Sequence, residues 1–195
     1  MTAYTMQFVA ELKDYRPRIW RRFQISSSAD LEDFCYTLMR MFHMLGCHLF
    51  EFSIKGNRYA LPLPDGLDDW SEPIKNLHGV AINKLFKKEG DSGELWYDFG
   101  DCWYVAVKLE KLKVTEVISA DELPRIIKGK GFGIVEDCGG IWGLEEIAEG
   151  LKTGNVEDWE DLKRWLDDIC PDILEHGLDF FDIDELNVAL KKKAL

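Results

Sequence analysis

The sequence contains no Cys-x-x-Cys pair: its five cysteines (Cys35, Cys47, Cys102, Cys138 and Cys170) are odd in number and widely spaced. That argues against a disulfide framework and against a zinc knuckle. Long apolar runs are missing as well; a membrane span needs about 20 consecutive apolar residues, and no run approaches that. Met1 to Lys13 lacks the basic start and continuous apolar stretch of a signal peptide. Positive charge is scarce: 24 Lys and Arg stand against 36 Asp and Glu, for a net charge of −12 at pH 7. Nucleic-acid binding depends on cations that neutralise phosphates, so this balance weighs against DNA or RNA as a partner. No internal repeat or low-complexity segment occurs. The expectation is a cytoplasmic protein with no membrane partner.

What is present is the composition of a packed domain. With 195 residues, 46% hydrophobic and 12% aromatic, the chain can bury a sizeable core as a single domain over residues 1–195. Residues 4–13 alternate, with Met6, Phe8, Ala10 and Leu12 on one face, and Ile19 to Ile25 reads as the returning strand. Asp30 caps a helix in which Leu31, Phe34, Leu38, Met41, Phe42 and Leu45 recur at helical spacing, and Gly46 ends it. Cys47 to Ile54 and Arg58 to Leu61 form a hairpin around Gly56-Asn57. Residues 62–80 read as a long functional loop or flap, and a short helix covers Ile82 to Lys88. A second hairpin runs from Glu94 to Glu110 and turns at Gly100-Asp101. Residues 1–112 are thus strand-rich with one helix.

Residues 140–195 turn helical. Leu144–Leu151 comes first, then a helix capped by Asn155 and stopped by Pro171. A last helix is capped by Asp182 with Glu185 in a capping box, and Phe181 staples onto Leu186. Strands precede helices without βαβ alternation. The fold class is α+β: a mainly antiparallel sheet of five to six strands packed with helices.

Two stretches are unusually dense in special residues: Glu136-Asp137-Cys138-Gly139-Gly140-Ile141-Trp142-Gly143 and Tyr97-Asp98-Phe99-Gly100-Asp101-Cys102-Trp103. With Pro17-x-Ile19-Trp20-Arg21-Arg22, His48-Leu49-x-Glu51-Phe52, Pro124-Arg125 with Gly129 and Gly131, and Phe181-Asp182 with Asn187, they follow one ordered pattern. The chain resembles the plasmid pRiA4b ORF-3-like family, whose members are also labelled insertion-element passenger "resolvase" proteins. Two departures stand out: Val105 where relatives carry a His after the hairpin Trp, and Ile134-Val135 where they carry Pro-Pro. The resemblance implies a link to mobile elements but no chemistry. A serine recombinase needs a nucleophilic serine among arginines and a basic DNA-binding element; Ser26 to Ser28 near Arg21 and Arg22 read as loop and cap instead.

The candidate ligand-binding set is His48, Asp98, Asp101, Glu136, Asp137, Gly139 and Gly140. Carboxylates gathered at an imidazole suit a divalent cation or a general acid and base, with Asp98, Asp101, Glu136 and Asp137 as candidate metal ligands. Gly139 and Gly140 would let backbone N–H groups approach a ligand. Arg21 and Arg22 are candidates for an anion site or a structural ion pair, with Arg21 on the buried face facing a partner such as Asp98. Cys102 and Cys138 read as buried thiols before a redox pair, and His43 as a partly exposed helix residue. The leading reading is a non-enzymatic binding or regulatory accessory domain for an unknown protein or small molecule, without a cofactor. The alternative is a metal-dependent hydrolase or nuclease-like enzyme that uses the acidic residues.

Overall fold

A computed structural model of the chain describes residues 3–62, 74–116 and 118–191. In β1 (Thr5–Leu12), Met6, Phe8, Ala10 and Leu12 share one face and are fully buried. β2 (Trp20–Ser26) returns antiparallel, with Phe8 opposite Phe23. The other face of the same strands is polar. There Gln24 donates to Gln7, Gln7 to Glu110 and Arg125 to Gln24, so the buried amides satisfy one another across the sheet.

The helix α1 (Leu31–Met41) is capped by Asp30, whose carboxylate accepts from Glu32 N at 3.0 Å. It lies across the sheet, where Phe34 packs edge-on against Phe8 and Phe52 and tilts against Phe23 and Phe86. It ends at Met41, short of the expected Leu45, because the groups that would extend it bond elsewhere. Met41 O accepts from Arg21 Nε, Phe42 O accepts from Ile134 N, and Leu45 N donates to Glu136.

β3 (Phe50–Ile54) and β4 (Asn57–Ala60) join through a tight turn with positive φ at Lys55 and Gly56. β5 (Lys75–Asn76) pairs parallel to β4. β6 (Ser92–Tyr97) and β7 (Trp103–Lys111) make the second hairpin, and β8 (Arg125–Lys130) pairs with β2. The order is β5-β4-β3-β6-β7-β1-β2-β8, antiparallel except at β4–β5. Among the described residues the sheet therefore has eight strands rather than five to six. The two unexpected strands are its edges, and edges are short, charged and weakly patterned: β5 is Lys-Asn and β8 is Arg-Ile-Ile-Lys-Gly-Lys. Of the expected loop 62–80, residues 63–73 lie outside the described residues.

The expected helix over 82–88 is a single 3-10 turn, Ile82–Lys84; Asp91 takes the amides of Lys87 and Lys88 instead. The C-terminal helices are α2 (Gly140–Thr153), α3 (Trp159–Ile169), α4 (Pro171–His176) and α5 (Ile183–Lys191). α2 is longer than expected, and Pro171 opens α4 as well as closing α3, since its missing N–H costs nothing at a first turn. Asp182 caps α5 through the amides of Asp184 and Glu185. Among the described residues no helix is long and apolar enough to cross a membrane.

Candidate functional site

The site forms where three irregular segments meet: the stretch after α1 that leads to β3, the β6–β7 turn, and the approach to α2. Asp98 and Asp137 both hold left-handed backbone (φ 53 and 56), as does Cys102 in the same turn (φ 56). Aspartate tolerates that conformation better than most residues, and clusters of such strain accompany functional sites. Gly140 is required for the turn to dock, because a Cβ there would stand 2.3 Å from Asp101 O.

His48 Nε2 sits among three carboxylates: Asp137 Oδ1 at 3.5 Å, Glu136 Oε2 at 3.6 Å and Asp98 Oδ2 at 3.8 Å. Each of the two buried acids has one oxygen anchored and the other aimed at His48. Asp98 Oδ1 accepts from Gly100 N at 2.9 Å. Glu136 Oε1 accepts from Leu45 N at 2.6 Å and from the Tyr97 hydroxyl at 2.7 Å. His48 Nε2 and Glu136 Oε2 are buried and have no hydrogen-bond partner among the described residues. Burial, reinforced by the Glu136 carboxylate, raises the Tyr97 phenol above its ordinary pKa, so it stays a donor. Tyr97 also accepts from Gly46 N at 3.1 Å and lies 3.8 Å from Cys47 Sγ.

The donor atoms fall into two overlapping sets. Those of His48, Asp98 and Asp137 lie within 4.8 Å of one another, and so do those of Cys47, His48 and Glu136. Distances of 3.5–3.8 Å are too long for hydrogen bonds. They approach the edge of a tetrahedron, about 3.4 Å when nitrogen and oxygen sit about 2.1 Å from a central ion. A cleft of about 290 Å³ opens on Glu136 and Asp137 and is lined by Leu45, Phe132, Trp165 and Ile169. A smaller one of about 90 Å³ is lined by His48, Leu49 and Phe99.

Not every expected residue converges. Asp101 accepts from Gly139 N at 3.2 Å, so that amide serves the docked turn rather than a ligand, and Asp101 stands outside the His48 cluster. Arg21 does not pair with Asp98. It is fully buried, and all four of its side-chain hydrogen bonds, 2.5 to 3.0 Å, run to the carbonyls of Met41, Trp20, Lys130 and Phe132. The rings of Phe42 and Phe181 flank its guanidinium at 5.2 and 4.4 Å, and burial lowers its pKa to about 9. Arg22 is the structural ion pair, forked onto Glu110 at 2.6 and 2.7 Å. Cys102 and Cys138 are free thiols, bonded to Phe99 O and Gly140 O, but Cys102 is exposed and Cys138 half-buried rather than both buried as expected.

His43 is not helical; it follows α1 with φ 59 and stacks on Phe132 at 3.9 Å. Tyr97 stands in a sequence motif without an assigned role, and Cys47 just before another motif. Each sits one position before a candidate, Asp98 and His48.

A family model for plasmid pRiA4b ORF-3-like proteins matches residues 4–189. The chain belongs to the plasmid pRiA4b ORF-3-like family. The chain is also similar to the Sinorhizobium fredii "Uncharacterized protein y4hQ", 25% identical over 166 residues, which are 85% of this chain and 82% of that one. A crystal structure described as "Protein of Unknown Function MM3350 from Methanosarcina mazei Go1" superposes with a TM-score of 0.77 at 25% identity, over 95% of this chain and 98% of that chain. In this pRiA4b ORF-3-like chain Val105, Ile134 and Val135 all belong to the core. Val105 is fully buried, and Ile134 spends on Phe42 O the amide that a proline would lack.

Proposed function

We propose that this protein is a metal-dependent hydrolase whose divalent ion is held by His48 Nε2, Asp98 and Asp137. The observation that carries the reading is a facing pair of buried atoms, His48 Nε2 and Glu136 Oε2, inside a group of carboxylates and without a hydrogen-bond partner among the described residues. Burying polar atoms without partners is costly, and an ion on Nε2 removes the cost. One imidazole with two carboxylates suits Mn²⁺ better than Mg²⁺ or Ca²⁺, which take oxygen ligands alone. The chemistry such an ion supplies is polarisation of a water or carbonyl. Glu136 Oε2 is the base, fixed by Tyr97 and Leu45 through its other oxygen. The apolar cleft beside it suits an uncharged ester or amide with an apolar group, and a net charge of −12 disfavours a polyanionic substrate.

A second reading keeps the chain as a non-enzymatic accessory domain linked to mobile elements. It is supported by apolar side chains left in solvent at the same end, Leu45 at 78% and Leu49 at 52% exposure. A thermal-shift scan of chelator-treated protein separates the two. A metal at 100 times its dissociation constant adds about 2.7 kcal/mol, a rise of roughly 5–10 °C in a chain this size. The rise should appear with Mn²⁺, vanish in His48→Gln and Asp98→Asn, and survive in Asp101→Asn. The metal-loaded protein should hydrolyse nitrophenyl esters, and Glu136→Gln should lose that activity while keeping the shift. No shift with any divalent ion rejects the metal and leaves the accessory domain.

A further inference from the structure

The donor set of Cys47, His48 and Glu136 contains a thiol that the hydrolase reading does not use. Cys47 is exposed and free, and its Sγ lies within 4.8 Å of the ligating atoms of both His48 and Glu136. Two features mark this as more than a cysteine near a histidine. His48 Nε2 and Glu136 Oε2 are each buried without a hydrogen-bond partner among the described residues, and the Glu136 side chain is only 11% exposed. One buried phenol then organises both remaining donors: the Tyr97 hydroxyl donates to Glu136 Oε1 and lies 3.8 Å from Cys47 Sγ. Groups that orient ligands from behind are as characteristic of a metal site as the ligands themselves.

We propose that Cys47, His48 Nε2 and Glu136 Oε2 form a site for thiophilic ions of the zinc and cobalt(II) class, overlapping the first through His48. This inference rests on the reading of His48 as a metal ligand and refines it. One imidazole nitrogen binds one ion, so the two modes exclude each other. Hard ions such as Mn²⁺ take His48 with Asp98 and Asp137. Softer ions take the thiolate, because sulfur selects for them and not for Mg²⁺, Ca²⁺ or Mn²⁺. In the second mode Cys47 gives up its proton on binding, and Glu136 becomes a ligand and ceases to be available as a base. Zinc-class ions should therefore displace Mn²⁺ and silence the activity it supports.

Cobalt(II) tests this without reference to activity. Titrated into reduced, chelator-treated protein, it should develop visible d–d bands and a near-ultraviolet thiolate-to-cobalt charge-transfer band. Cys47→Ser should abolish the charge-transfer band and weaken Zn²⁺ at least about tenfold, the least expected for a lost ligand, while leaving Mn²⁺ affinity unchanged. Exposure of Cys47 makes that variant safe for the fold. If d–d bands appear without charge transfer, the ion sits among oxygens; the thiophilic site is then wrong and the His48 centre stands. A charge-transfer band that persists in Cys47→Ser assigns the thiolate to another cysteine and overturns the proposal. No cobalt bands and no displacement of Mn²⁺ overturn both.

Discussion

His43 shows how much a single residue can be reassigned by its surroundings. Its sequence position suggests a helix face in contact with water, but it adopts φ 59 and lies flat on Phe132. Burial, and secondarily the Arg21 cation, lower its pKa from 6.5 to about 4. The folded state therefore binds the proton less readily than the unfolded state. The stability this contributes is complete above pH 6.5 and is lost as pH falls towards 4, up to about 2–3 kcal/mol in all. His43→Asn keeps a residue that tolerates left-handed backbone and removes the titration. Chemical denaturation between pH 7 and 4 should show wild type losing that much more stability than the variant; parallel curves would mean that His43 titrates normally. Arg21 makes the related point that a buried cation needs acceptors rather than an acid. Four carbonyls satisfy it, and no pattern of carboxylates in the sequence could have shown that.

Among the elements, the central strands were readable from alternation because one face of each is core. The edges were not, because β5 and β8 carry little periodic signal. What holds β8 is a side chain from a distant helix. Asn187 on α5 accepts from Ile126 N at 2.7 Å and donates to Ile126 O at 3.0 Å, covering the outward edge of the last strand. Beside it Phe181 stacks on Arg21, which is why position 129 is glycine: a Cβ there would meet the Phe181 ring at 2.7 Å. Gly129, Phe181 and Asn187 thus have structural work at the sheet edge. Asn187→Ala should cost about 1–3 kcal/mol and release the Ile126 amide to rapid hydrogen exchange. Unchanged protection at Ile126 would show that β8 is held by its pairing with β2 alone.

Across the whole molecule, the candidate site is assembled from segments 38 to 50 residues apart: His48 after α1, Asp98 in the β6–β7 turn, and Glu136 with Asp137 before α2. The residue types and motif density made the site visible in the sequence. Its membership was not visible, because it depends on where the turns dock. Asp101 and Gly139 bond each other and drop out, while Tyr97, with its side chain on the buried strand face, comes in. The central claim is that an ion occupies the space facing His48 Nε2. Anomalous scattering from crystals of the protein grown with Mn²⁺ tests it most directly. The account predicts a peak about 2.1 Å from His48 Nε2, shared with Asp98 and Asp137. A crystal with no peak there, or with manganese only on surface carboxylates elsewhere, would contradict it.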